Sequence, residues 1–261
     1  MIGVFDSGFG GLSVLAAISQ ALPTANLAYL ADSAHVPYGS KPDEFIRSRV
    51  LAIGAHLVEQ GCSLIVVACN TATAAALRAL REQHPGIPVV GVEPGVKPAA
   101  ASSISRRIAV LTTESTAQSA RLMRLVSDHA GGVAVHIEAC PGWATRVETL
   151  HLGDTSFATA VGEKLLPLLD TGIDRIVLGC THYTFLIPIL QPLVAGRAEL
   201  VDVAEAVARQ VVRLYATQST CEGHLSLYAT ARPERLHQAL PALSLNKLLA
   251  RVRAPASQVV V

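Results

Sequence analysis

The sequence predicts an α/β fold built from two pseudo-symmetric parallel-sheet domains with a cleft between them, and three observations carry that prediction. Short aliphatic runs recur along the 261 residues with amphipathic segments between them, the pattern of parallel strands buried on both faces by crossover helices. Hydrophobic residues make up 51% of the chain and charged ones 16%, enough apolar side chain for a large buried core and too much for a disordered chain. Two segments also repeat each other: LIVVACNTATAAAL at 64–77 and RIVLGCTHYTFLIP at 175–188 each read as apolar strand, small residue, cysteine, two polar residues, then helix. Their cysteines, Cys69 and Cys180, therefore fall at equivalent strand ends.

In chain order, a first strand at 2–5 ends in the turn DSGFGG, and a helix over 11–21 returns the chain to a strand at 26–31. A helix over 43–60 leads to the strand at 64–68, and one over 71–83 to the strand at 89–92. EPGVKP at 93–98, followed by a small and polar run at 99–105, has the character of a connection between halves. The alternation then resumes, with strands at 108–111, 134–138, 176–179 and 199–201 and helices over 115–129, 155–169 and 183–194. A helix over 204–217 follows a return crossing near Asp202, which gives a discontinuous first domain, 1–92 plus 204–261, and a second domain, 93–203. Residues 221–261 complete the first domain, and 254–261 read as a loose tail.

Charge names no macromolecular partner. Lys and Arg number 21 against 20 Asp and Glu, a net +1 that offers no field to nucleic acid or an anionic membrane. No apolar run reaches the roughly 18 residues of a membrane span. The opening residues lack the basic region of a signal peptide, so the expected location is cytoplasmic. Five cysteines without a C-x-x-C pair favour neither a disulfide framework nor a structural zinc site, so any chemistry they do is expected as thiols, with no metal.

In open parallel sheets the ligand crevice lies beyond the carboxyl ends of the strands, where Asp6, Asp32, Cys69, Thr112, Cys140 and Cys180 all fall. Cys69 and Cys180 stand out because each precedes hydrogen-bonding residues at a helix start, Asn70-Thr71 and Thr181-His182. Free amides and the helix dipole there favour an anion and can depress a thiol from its usual pKa of about 8.5. Two thiols facing across a cleft would be a base and an acid on opposite sides of one ligand, which suits removing a proton from one face of a carbon and delivering one to the other. Cys62 and Cys221 read instead as small buried hydrophobes. His182 can supply a positive charge or a proton beside Cys180.

DSGFGG has two readings. As a phosphate loop, Gly8-x-Gly10 would pair with Asp32 as a ribose acceptor in a nicotinamide-dependent oxidoreductase, although Ser13 replaces the third glycine. Alternatively Gly8, Gly10 and Gly11 form a tight turn whose amides approach a small anion while Asp6 orients or activates a neighbour. A non-enzymatic two-lobed amino-acid-binding protein would use the same cleft without needing thiols.

Taken together, DSGFGG (6–11), ADSAHVPYGSK (31–41), ACNTAT (68–73), GVEPGVKPA (91–99), TESTAQS (113–119) and LGCTHY (178–183) resemble the glutamate racemases, in motif order and over nearly the whole chain. The resemblance implies a cofactor-independent racemase with its active site between two α/β domains. Such an enzyme interconverts L- and D-glutamate for peptidoglycan cell-wall synthesis. The implied catalytic pair is Cys69, which takes the α-proton from D-glutamate, and Cys180, which takes it from L-glutamate, assisted by Asp6, His182 and Glu148. The implied substrate site comprises Asp6, Ser7, Tyr38, Gly39, Asn70, Thr71, Thr113, Thr116, Thr181 and His182. Small hydroxyls and amides suit a ligand that presents carboxylates and an ammonium. Thr184 stands where the family motif has proline. Pyridoxal phosphate finds no recognisable lysine, since none of Lys41, Lys97, Lys164 and Lys247 sits at a strand end beside a glycine-rich phosphate loop. The oligomeric state is left open, a homodimer included.

Overall fold

The computed structural model describes residues 1–215 and 222–261 and divides their strands between two sheets in which all pairing is parallel. Along the chain the strands are β1 (Ile2–Asp6), β2 (Leu27–Ala31), β3 (Leu64–Val67), β4 (Val89–Gly91), β5 (Arg107–Thr112), β6 (Ala134–Ala139), β7 (Arg175–Leu178), β8 (Glu199–Val201), β9 (Leu225–Ala229) and β10 (Ser257–Gln258). The first-half helices are α1 (Leu12–Ala21), α2 (Asp43–Glu59) and α3 (Asn70–Gln83). Then come α4 (Val96–Ser102), α5 (Glu114–Gln118), α6 (Ala120–His129), α7 (Trp143–Glu148), α8 (Thr155–Asp170) and α9 (Ile187–Val194). Finally α10 (Ala204–Leu214), α11 (Pro233–Ala242) and α12 (Asn246–Leu249) follow the return crossing. Cys221 and the last two residues of the helix expected over 204–217 lie outside the described residues. Among the described residues no helix is long and apolar enough to cross a membrane.

The larger sheet runs β10-β9-β2-β1-β3-β4 and the smaller β6-β5-β7-β8. Strands β1, β2 and β3 are buried throughout, and alternate residues serve opposite layers, as the pleat requires. Ile2, Val4, Leu27, Tyr29, Leu64 and Val66 join the cluster that contains the apolar residues of α1 and α10, whereas Phe5, Leu30, Ile65 and Val67 join that of α2 and α3. The first cluster continues into the second half through Leu111, Leu178 and Tyr183, so one core spans both sheets.

The repeat seen in the sequence is a repeat of topology. The order β2-β1-β3-β4 recurs as β6-β5-β7-β8. Phe5 pairs with Val67 and Leu111 with Leu178, and in each case a cysteine follows two residues later, at 69 and at 180. Asp6 and Thr112 occupy equivalent ends of the central strands, where they pair with Ala31 and Ala139.

Three elements differ from the reading of the sequence. The helix expected over 115–129 is broken at Ser119, whose extended backbone (φ −72°, ψ 135°) lets its hydroxyl accept from Leu122 N and start α6 afresh. The helix expected over 183–194 begins as a 3-10 turn, Thr181–Leu186, before α9. The supposed loose tail at 254–261 contains β10, which pairs with Tyr228 and Ala229 of β9. An open sheet edge offers unpaired backbone groups, and the segment takes them up, with Val259 N donating to Ala229 O at 2.9 Å. Strand β9 itself, LSLYA, has no continuous apolar run to announce it.

Asp32, at the end of β2, anchors this edge. Its buried carboxylate accepts from Arg49 Nε (3.0 Å) and Nη2 (2.9 Å), from the Tyr38 hydroxyl (2.5 Å) and from Thr230 Oγ1 (2.8 Å). Burial opposes the charge, but the hydrogen bonds from Arg49, Tyr38 and Thr230 outweigh it and hold the carboxyl below its ordinary value of 3.8. A depressed folded-state value means stabilisation that is complete above 3.8 and lost as the pH falls through the folded value. Asp32→Asn should therefore unfold at lower temperature than the parent at neutral pH, with the difference narrowing in a calorimetric series taken below about pH 3.8. A constant difference across that series would contradict the assignment.

Candidate functional site

The carboxyl ends of β1, β3, β5 and β7 meet where the two sheets face each other, and both conspicuous cysteines are there. Cys69 has the extended backbone of a helix cap (φ −138°, ψ 120°), and its Sγ accepts from Ala72 N at 3.5 Å at the start of α3. Cys180 has nearly the same backbone (φ −141°, ψ 133°), but its Sγ lies 3.7 Å from His182 Nδ1 instead of capping a helix. Both are 6% exposed.

Each half lends an acid to the other. Asp6 Oδ1 accepts from Ser7 Oγ and Gly8 N, both at 3.0 Å, and Oδ2 accepts from Thr181 Oγ1 of the second half at 2.9 Å. Glu148 Oε1, at the end of α7, accepts from Phe9 N of the first half at 2.5 Å and lies 2.6 Å from His182 Nε2. The His182 ring thus bridges Glu148 and Cys180. The Tyr29 hydroxyl donates to Gly8 O at 2.6 Å and holds the turn from below.

The glycines of DSGFGG make room for these side chains. A Cβ on Gly8 would stand 2.1 Å from Glu148 Oε1, and one on Gly10 would stand 2.4 Å from His182 Nδ1. None of Gly8, Gly10 and Gly11 has a positive φ, so close approach and not backbone conformation demands glycine here. The turn leaves fewer amides for an anionic ligand than the sequence reading expected, with Gly8 N spent on Asp6 and Phe9 N on Glu148. The phosphate-loop reading is also removed, because Glu148 occupies the space beside Gly8 and Asp32 is committed to Arg49, Tyr38 and Thr230.

Burial dominates the electrostatics. It raises the Asp6 carboxyl despite the opposing charge of His182 and the bonds from Gly8 and Thr181. It pushes the Cys69 thiol far above the ordinary thiol range, and the nearby Asp6 charge adds to the effect. The amides of Ala72 and Ser7 act in the expected, lowering direction but do not prevail, so the anticipated depression of this thiol is absent. For His182 burial disfavours the cation, yet hydrogen bonds to Cys180 and Glu148 outweigh it and hold the imidazole well above 6.5. The site therefore favours a protonated Cys69 and an imidazolium at His182.

Around the thiols lie the small polar residues expected there. Thr71 Oγ1 lies 3.2 Å from both Thr113 Oγ1 and Thr116 Oγ1, which are 3.1 Å from each other, a cluster that joins the halves. Asn70 is buried, and its Nδ2 has no hydrogen-bond partner, an open donor beside Cys69. Gly39 lies against Thr113, such that a Cβ would stand 3.0 Å from the threonine Cβ. Beyond this contact opens a cleft of about 1160 Å³, lined in part by Lys41, Arg78, Glu114 and Arg124.

Tyr38 packs in the same apolar cluster as Cys69, but its hydroxyl is taken by Asp32. Cys140 is buried, its thiol pushed up to about 12 by burial, and its carbonyl accepts from Tyr183 OH at 3.1 Å. Cys62 packs under Gly3 with its thiol pushed up to about 11, also by burial, away from the site. Tyr29 escaped the reading of the sequence because it sits inside the apolar strand LAYLA with no motif around it. Among the described residues no group of three or more His, Cys, Asp and Glu side chains is arranged to hold a metal ion.

If Gly10 exists to admit the imidazole, Gly10→Ala should force the His182 ring from its seat, and nitrogen-detected NMR should show it titrating closer to 6.5 than in the parent. Gly86→Ala, where an added Cβ meets nothing within 4 Å, should leave that titration unchanged.

The sequence model of the family Asp/Glu/Hydantoin racemase matches residues 2–211. The glutamate racemase of Pseudomonas aeruginosa is 44% identical over 246 residues, 93% of each chain. The crystal structure of Escherichia coli glutamate racemase, in complex with L-glutamate and the activator UDP-MurNAc-Ala, superposes with a TM-score of 0.84 at 32% identity over 93% of this chain and 94% of that one. Isoform RacE1 of glutamate racemase from Bacillus anthracis superposes with a TM-score of 0.85 at 30% identity over 100% of this chain and 97% of that one.

Proposed function

Because the chain belongs to the Asp/Glu/hydantoin racemase family, and within it matches glutamate racemases over nearly its whole length, we propose that it interconverts L- and D-glutamate by a two-thiol, two-base mechanism, supplying D-glutamate for peptidoglycan cell-wall synthesis. The observation that carries the mechanism is the pair of buried cysteines at equivalent strand ends, each with its own ionisable neighbour: Asp6 for Cys69 and His182 for Cys180.

In this reading the two halves, 1–92 plus 204–261 and 93–203, close on the substrate. Cys69 takes the α-proton of D-glutamate while the Cys180 thiol delivers a proton to the opposite face, and L-glutamate runs the same steps backwards. The α-proton is only weakly acidic, so the carbanion needs stabilisation that the ground state does not receive. The unpartnered Asn70 Nδ2 and the hydroxyl cluster of Thr71, Thr113 and Thr116 offer donors to the carboxylates, while the hydroxyls of Ser7 and Thr181 are spent on Asp6. In a site closed to water such donors count for more than in solvent. The substrate ammonium brings positive charge next to Asp6 and Cys69, which offsets the burial that otherwise holds the thiol protonated. On the other side, the imidazolium of His182, steadied by Glu148, stabilises a thiolate at Cys180 and can return its proton.

Polarimetry or chiral chromatography on L-glutamate, with L-aspartate as control, tests the activity. Complementation of a D-glutamate auxotroph tests the cellular role. Cys69→Ala and Cys180→Ala should each lower racemisation by about 10²-fold or more, since either removes the acid or base from one face. Cys62→Ala, which lies outside the site, should keep turnover within a few-fold and cost on the order of 1 kcal/mol of stability. In heavy water, early turnover of either enantiomer should give product deuterated at the α-carbon and recovered substrate that stays largely protiated. Early deuteration of recovered substrate at a rate comparable to product formation would instead indicate a single base serving both faces.

A further inference from the structure

Arg49 reaches the site at its margin, through Tyr38, and connects three separated segments. Its guanidinium forks onto both oxygens of Asp32, at 3.0 and 2.9 Å, and its Nη1 donates to Val261 O at 2.6 Å. Asp32 in turn accepts the Tyr38 hydroxyl at 2.5 Å through Oδ2, the same oxygen that Arg49 Nε reaches. The residue after Tyr38 is Gly39, whose close approach to Thr113 is one contact between the first half and the start of α5, beside the Thr71 bonds to Thr113 and Thr116. The far end of the chain of bonds is the segment after β10, held to β9 through Val259 N.

We propose that Arg49 is a positioning residue for the reaction: by tying the segment 257–261 to Asp32, it holds the Tyr38–Gly39 turn closed beside Cys69. The proposal rests on the two-thiol reading above. A shorter or less forked side chain cannot keep all three acceptors, because an ammonium is a point donor whereas the guanidinium is a planar fork. Loss of the fork leaves Asp32 buried with Tyr38 and Thr230 alone. The Gly39 contact with Thr113 is so close that a small shift of the turn opens it. Solvent then reaches Cys69 and not Cys180, whose hydrogen-bonding neighbours, His182 and Glu148, belong to the other half.

That asymmetry provides the test. Wild-type racemisation of glutamate is measured first, and its absence would defeat the underlying reading independently of this one. Arg49→Lys and the deletion of residues 257–261 are then compared with wild type in heavy water at equal early conversion, starting from each enantiomer. With the turn loosened, a proton taken up by Cys69 exchanges with solvent before it returns. Recovered D-glutamate should then carry at least about threefold more α-deuterium than in wild type, while recovered L-glutamate carries the wild-type amount, and kcat/KM should fall by about tenfold. A general loss of packing would raise the label in both enantiomers alike or in neither. Either of those patterns in the folded Arg49→Lys protein, or wild-type labelling in both variants, would overturn the proposal. Should the deletion variant fail to fold, Arg49→Lys alone decides.

Discussion

Two carboxylates and an imidazole are buried where the two sheets meet, and both carboxylates are satisfied across the seam. Ionised groups out of water survive only when paired and hydrogen-bonded, so this seam is specified by charge as well as by apolar area. Asp6 reaches Thr181, Glu148 reaches Phe9 N, and His182 sits between Glu148 and Cys180. The rest of the arrangement follows. Residues 8 and 10 must lack side chains because Glu148 and His182 use the space, and Tyr29 must be a tyrosine to brace the turn by its hydroxyl. The chain must also leave the first sheet, since the partners of Asp6 and Phe9 are contributed from the second.

The skeleton is symmetric but the chemistry laid on it is not. Equivalent strand ends hold Asp6 and Thr112, Asp32 and Cys140, Cys69 and Cys180. The position two after the cysteine is Thr71 in one half and His182 in the other. One thiol thus has a carboxyl for company and the other an imidazolium. The turn that follows Cys69 is α-helical from the outset, with the sulfur as its cap, whereas the one after Cys180 is 3-10 and leaves the sulfur to the histidine. A common scaffold presents two thiols in the same backbone setting, and local substitutions give each a different proton partner.

What the sequence disclosed and what it withheld separate along physical lines. Eight strands were legible because each contains aliphatic residues in a short run, fully buried in β1, β2 and β3 and only partly so in the edge strands β6 and β8, and the two cysteines because their surroundings repeat. Strand β9 alternates buried and half-buried residues and β10 is two residues long, so neither carries enough apolar signal to be seen alone. The purpose of Gly8 could not be read locally, because the group that fills its missing side chain, Glu148, lies 139 residues from the Phe9 amide it bonds. The direction of the Cys69 shift is not legible locally for a related reason: the helix start is visible in the sequence, but the depth of burial and the nearness of Asp6 are products of the tertiary fold.

The burial that holds Cys69 protonated has a consequence for survival in the cell. Peroxides and electrophiles attack thiolates, not thiols, and the first oxidation product of a thiolate is a sulfenic acid that would destroy a proton-transfer base. A base kept as its inert conjugate acid until substrate charge draws it out is shielded from that damage while idle. On the two-thiol reading, the energetic burden of making the Cys69 thiolate only in the occupied site is therefore also a protection of that sulfur between encounters.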